Sequence, residues 1–176
     1  MNGTSWSYDV TDAAALRRGF AAFATGVTIV AVGGEHMHGM TANAFASVSL
    51  EPPLVLVCVD REALMHTRLP AATGFGISVL AAGQEEIARH FASRRRPLGA
   101  AQFESVDWVP GPVTGAPLIA GALATFECEL WRTCDGGDHT IFIGEVVFMD
   151  RDTDRDALLF LNGRFTDTSG PVEANR

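Results

Sequence analysis

The sequence predicts a mainly β protein, a closed antiparallel barrel with helices packed on its outside. Three observations carry this reading. Strand-like runs outnumber helical ones, no full crossover helix separates the early strands, and hairpin turns recur. A doubly wound parallel sheet would need a crossover helix between strands.

The elements follow in order. Residues 1–10 form a loose arm. Thr11 caps a helix over about 11–24, with Asp12 in its first turn and Leu16, Phe20 and Phe23 on one stripe. Gly26 ends it, and Val27–Val32 is a β-branched strand that turns at Gly33-Gly34 into Met37–Thr41. A short helix over Ala63–Leu69 stops at Pro70, and Gly74–Leu80 returns to strand. Gln84–Arg94 is helical, with Ile87 and Phe91 one turn apart and a supporting Glu85–Arg89 pair. Pro97–Gly121 is dense in glycine and proline, hence mostly loop with a brief strand at Ser105–Val109. Strands then follow at Ala122–Arg132, Thr140–Met149 and Ala157–Leu161. Asn162-Gly163, a strong hairpin signal, leads into Arg164–Thr166. The tail from 169 to 176 is polar and disordered, which leaves one domain over 11–168.

The stretch Gly39–Arg61 stands apart. Thr41, Asn43, Ser47 and Ser49 share odd parity with Phe45, so one strand would show them on one face as a polar shelf. Ala42, Ala44, Ala46, Val48 and Leu50 take the other face. Glu51-Pro52-Pro53 breaks the ladder, and Leu54–Val59 reads as a strand buried on both sides. The shelf suits a planar ligand with amide-like edges, or it is an ordinary solvated hydroxyl face.

Composition excludes several classes. The chain has 176 residues, 47% hydrophobic and 19% charged, which is the balance of one globular domain. Its net charge is −8, and without a basic face it is not a nucleic-acid binder. The one basic run, Arg94-Arg95-Arg96, reads as a solvated helix end. No apolar stretch reaches the ~18 residues of a membrane span, and no secretory signal opens the chain. Cys58, Cys128 and Cys134 lack paired spacing, which points to a reduced, cytoplasmic protein and leaves Asn2-Gly3-Thr4 without meaning as a glycosylation acceptor. Nucleotide-fold, P-loop, serine-hydrolase and zinc-protease motifs are all missing. His36 and His38 alternate on a strand without a third ligand, so no metal is expected, and both are read as exposed strand residues, with a place near the ligand open to His38. Asp138-His139 follows a Gly-Gly turn, where the histidine either meets an amide or phosphate or caps its own turn.

Taken together, Ala24-Thr25-Gly26-Val27-Thr28, Gly39–Phe45, Ser47–Pro53 and Gly137–Val146 resemble the short-chain flavin reductases, the NAD(P)H:flavin oxidoreductase components of two-component flavin monooxygenases. The resemblance runs from about Leu16 to Phe165. It implies a split β-barrel of Greek-key-like, FMN-binding type with peripheral helices, assembled as a homodimer with flavin near the interface. It implies that Thr41, Ala42, Asn43, Ala44, Ser47, Val48, Ser49, Cys58, Val59, Asp60 and Arg61 hold FAD or FMN. Phe91 and Ala92 would line the flavin's far side. His139 and the turn Asn162, Gly163, Arg164 and Phe165 would meet NADH or NADPH. Two departures stand out: Glu62-Ala63-Leu64 where many members carry a serine, and Phe165 where tyrosine is common. The implied reaction needs no side-chain nucleophile, because the two rings supply the reactivity and the protein positions them. Reduced flavin would pass to a partner monooxygenase. A flavin carrier on the same barrel and a vitamin B6 phosphate oxidase are the alternatives, the second disfavoured by the lack of a basic phosphate site.

Overall fold

The computed structural model describes residues 11–168, and the expected arm and tail lie outside them. A seven-stranded antiparallel sheet dominates. It is built from β2 (Thr28–Val32), β3 (His38–Ala42), β4 (Phe45–Leu50), β5 (Pro53–Asp60), β6 (Phe75–Val79), β9 (Ala124–Gly136) and β10 (His139–Arg151), in the order β3-β2-β6-β9-β10-β5-β4. The chain also forms β1 (Thr25–Gly26), β11 (Leu158–Leu161) and β12 (Arg164–Asp167) as a small sheet. A two-stranded ribbon joins β7 (Trp108–Pro110) to β8 (Pro117–Ile119). Helices α1 (Ala13–Phe20), α2 (Leu64–Arg68) and α3 (Glu85–Ala92) lie outside the sheets. This is the split barrel, mainly β and antiparallel.

The expected continuous shelf is broken. β3 and β4 occupy opposite edges of the sheet, yet only Asn43 and Ala44 separate them in sequence. The sheet must therefore curl until its edges meet at this corner, where Cys58 N donates to Ala44 O at 3.0 Å. Parity also slips at a bulge between Ser47 and Ser49, so the hydroxyl row does not share one face.

Inside the curl lies one core, with Val30, Val55, Val57, Val59, Phe75, Ile77 and Phe142 almost wholly buried. Packing is tight across it: a Cβ on Gly144 would fall 2.5 Å from the Phe75 ring. A second core forms on the other side of β2, where Ile29 and Ala31 meet Ala88, Phe91, Phe103, Ile119 and Leu158. β2 is thus buried on both faces, which explains the apolar run Ile29–Val32; the one polar residue, Thr28, donates its hydroxyl to Ala42 O at 2.7 Å. β5 differs from its reading: Val55, Val57 and Val59 are buried, but Leu54, Leu56, Cys58 and Asp60 are only half-buried on the outer face.

Other differences have local causes. α1 is shorter than expected and is capped by Asp12, whose carboxylate accepts from Ala14 N at 2.8 Å. Its apolar stripe is not covered: Phe20 is 72% and Phe23 76% exposed. β9 and β10 each run 13 residues, because bulges near Ile143 and Val147 let one long hairpin bend around the barrel. The last hairpin turns as expected, with Asn162 and Gly163 at φ 51° and 76°.

Candidate active site

The corner at Asn43 opens into a cleft of about 520 Å³, lined by Thr41 and Asn43 from the corner and by Phe160, Gly163 and Phe165 from the last hairpin. Ala92 and Ser93, at the end of α3, complete it with small side chains. The sequence builds this locally. Ala88 and Phe91 turn inward, which leaves Arg89, Ala92 and Ser93 toward the cleft. The Thr41 hydroxyl donates to Ala88 O at 2.6 Å, so its proton is committed to fastening α3 onto β3. The Asn43 carboxamide is exposed and makes no hydrogen bond among the described residues, so it stays available to a ligand.

A second cleft, of about 430 Å³, adjoins the first at Thr41 and Ala92. Asp60, Phe91, Met40 and Leu64 line it together with Arg94 and Arg96. Behind it sits a network that sequence reasoning missed. Gln102 is fully buried; it accepts from Gly39 N at 2.9 Å and donates to Gly99 O at 2.8 Å. Arg96 donates to Gly39 O at 2.8 Å and lies 3.2 Å from His38 Nε2. Together they satisfy the open edge of β3 as a neighbouring strand would. His38 is therefore not the exposed strand residue expected. It is 3% exposed, and burial, then the charges of Arg96 and Arg68, push it down to about 4. A neutral His38 accepts where a charged one would repel Arg96. His36 contacts Arg68, with Nδ1 3.1 Å from the guanidinium.

The other expected residues are distributed as follows. Ala42 and Val59 point into the barrel core, which leaves their backbone as the part able to meet a ligand. Phe91 is buried, and its ring packs on Phe103 with centroids 5.0 Å apart. Ala44 and Cys58 meet through the backbone bond at the corner. Ser47 and Val48 sit exposed on the edge strand β4, outside both clefts, and the Ser49 hydroxyl accepts from Glu51 N at 3.2 Å. Asn162 N donates to Ala21 O, which ties α1 to the turn beside Gly163, and Arg164 is exposed.

His139 starts β10, opposite Asp60 in the ladder with β5. Arg61 holds this turn. Its backbone N–H donates to Asp138 O at 3.1 Å, and its guanidinium donates to the Asp135 carboxylate at 2.9 Å. Asp135 is held below the usual carboxylate range, first by the Gly137 N–H and then by Arg61. His139 Nδ1 lies 2.7 Å from Asp138 Oδ1, and this hydrogen bond lowers the Asp138 pKa. An Nδ1–H donated to that carboxylate leaves Nε2 as an acceptor facing outward. The structure thus gathers Thr41, Asn43, Ala92, Gly163 and Phe165 in one cleft and His139 with Asp60 and Arg61 beside the other.

Residues 20–169 match the model of the flavin reductase like domain family, most of the chain. The chain belongs to this family. Flavin reductases of known structure superpose closely on it. An NADH:FAD oxidoreductase from Streptomyces globisporus shares 56% of its sequence at a TM-score of 0.87, covering 91% of this chain and 95% of that one. The reductase component of a bacterial two-component tryptophan halogenase shares 52% at 0.86, covering 89% and 98%. Among curated relatives, an NADH-dependent FAD reductase of Streptomyces globisporus is 57% identical over 89% of this chain and 86% of its own. An NADH-dependent FMN reductase of Agrobacterium fabrum is 42% identical over 85% and 82%. As a flavin reductase, the chain is an oxidoreductase of flavin and nicotinamide nucleotide, as its motifs implied.

The donor set fits these groups. An aromatic wall, small opposing side chains and an unengaged carboxamide suit a flat, amide-edged ring. No three histidine, cysteine or acidic residues among those described could hold a metal.

Proposed function

We propose that this flavin reductase uses NADH to reduce FAD and releases the product to a partner monooxygenase. The observation that carries the reading is the shared cleft: the corner Thr41–Asn43 and the turn Gly163–Phe165, expected to meet different substrates, line one cavity. Relatives described as NADH-dependent favour NADH, and a relative 57% identical is described as an FAD reductase.

Bound flavin supplies the ring that accepts a hydride from the nicotinamide and carries the electrons onward. The chain's own residues position and shield. Asn43 offers amide donors to the pyrimidine edge, where negative charge grows on reduction. Phe160 and Phe165 give an apolar wall that excludes water, and Ala92 and Ser93 leave room for stacked rings. His139, its tautomer set by Asp138, presents a lone pair suited to a carboxamide or hydroxyl donor. Thr41 fixes α3, and so Ala92, at the right depth.

The reading includes a homodimer. Leu54, Leu56, Ile141 and Ile143 form a half-exposed apolar face on β5 and β10, extended by Ala46 and Cys58. A second copy is the occupant such a face suits, since monomers rarely leave a large apolar patch bare. Three free thiols fit a reducing compartment, and we place the enzyme in the cytoplasm.

Anaerobic mixing with NADH or NADPH, each with FAD or FMN, tests the reaction. Flavin bleaching fastest with NADH and FAD is expected, and an unbleached flavin would leave only a carrier. His139→Ala should raise the nucleotide KM about two- to tenfold with flavin affinity within about twofold. If His139 only caps its turn, thermal stability drops instead and both substrate constants hold.

A further inference from the structure

The first cleft holds a single cationic side chain among its lining residues, Arg89, and no carboxylate. The Arg89 guanidinium lies over the Phe165 ring, 4.8 Å from its centroid. Glu85, one turn earlier on α3, accepts from Nε at 2.7 Å and lies 2.6 Å from Nη2. A stack on one side and a carboxylate on another hold the group in place. Nη1 makes no bond among the described residues, so part of the donor fork remains available. The side chain is 62% exposed, at the mouth of the cleft and away from both cores.

A dinucleotide brings at least two negative charges to a chain whose own net charge is −8, so a local cation must offset the repulsion. Guanidinium is suited to this, because its planar fork matches phosphate oxygens. Phe165 has no hydroxyl to offer, so the polar contact at this point of the cleft falls to the arginine stacked on it. Thr41 and Asn43, expected at the flavin, line the same cleft from the β3–β4 corner.

We propose that Arg89, seated on Phe165, reads the diphosphate of the nicotinamide nucleotide and is the residue that secures this substrate in the cleft. This rests on the reductase reading above. Glu85 acts as a positioning residue that keeps the fork aimed.

ADP-ribose is the probe, since it carries the diphosphate without the nicotinamide and binds without turnover. Calorimetric titration of Arg89→Ala should show affinity for ADP-ribose weakened on the order of tenfold, with the KM for NADH raised in step. FAD affinity, measured by quenching of its fluorescence, should stay within about twofold. Arg89→Lys should recover part of the loss, because the charge remains and the planar fork does not. ADP-ribose affinity unchanged in Arg89→Ala, or FAD affinity falling in place of it, overturns the assignment. Wild-type protein that binds ADP-ribose but never bleaches flavin would instead refute the reductase reading, with Arg89 still tested by calorimetry.

Discussion

β2 and β5 read alike in sequence, each carrying an apolar run, Ile29–Val32 and Leu54–Val59, yet the fold treats them differently. β2 is sealed on both faces, by the barrel core within and by α3, Phe103 and Ile119 without. β5 is sealed only within, and its outer residues Leu54, Leu56 and Cys58 stay half-exposed. The difference lies in what the rest of the chain supplies. About 35 residues from α3 to β8 are folded over β2, and among the described residues no comparable segment covers the outer face of β5. This half-covered apolar face is the one proposed above to meet a second copy.

Removing the cover from β2 should have the largest effect. Phe91→Ala deletes a fully buried ring between β2 and Phe103 and should cost about 3–5 kcal/mol. A denaturant midpoint unchanged from wild type would mean that the outer layer contributes little.

The fastening of that cover should be acid-sensitive. His38 has a folded pKa of about 4 against an ordinary 6.5. The unfolded chain therefore binds its proton first, so stability is full above about pH 6.5 and falls as pH drops toward 4. The loss from this one residue is on the order of 2–3 kcal/mol. His38→Gln cannot titrate and should flatten that part of the profile. Parallel profiles for the two proteins between pH 7 and 4.5 would count against the network.

The bare face of β5 should respond in the opposite sense. Ile143→Asp introduces a charge among Leu56 and its neighbours while leaving the barrel core untouched. Fold stability of the subunit should change by about 1 kcal/mol or less, yet sizing should shift from dimer to monomer. A variant that still elutes as the larger species would place the subunit contact elsewhere.

Sequence periodicity identified nearly every strand, because alternation and turn residues are local signals. The family resemblance, not periodicity, named Thr41, Asn43, Gly163 and Phe165 together, and the fold brings them to one cleft. Periodicity could not separate β2 from β5, since burial of a second face depends on residues far along the chain. The polar shelf failed for a similar reason: a two-residue corner and a bulge look like continuous alternation. Gln102 and Glu127 were invisible as structural groups. Each is wholly buried, and each answers backbone groups brought near by the fold; Glu127 accepts from Thr114 N at 2.6 Å and from the Thr114 hydroxyl at 2.7 Å. The exposed stripe on α1 marks the limit of periodicity itself, which identifies a helix face but not its cover.

The two-residue corner at Asn43 and Ala44 also bears on how the chain folds. Strands β3 and β4 are neighbours in sequence, but five other strands lie between them in the sheet. The closed barrel that brings β3 and β4 together at the corner depends on pairings between distant segments, such as β6 with β9 and β10 with β5. Such non-local assembly is slow, because loop entropy is lost before the contacts form. The first cleft depends on this closure, since Thr41 and Asn43 line it from the corner. One residue added at the corner would reverse the faces of one strand against the other, and the length of this joint is as much a requirement of the enzyme as any side chain it presents.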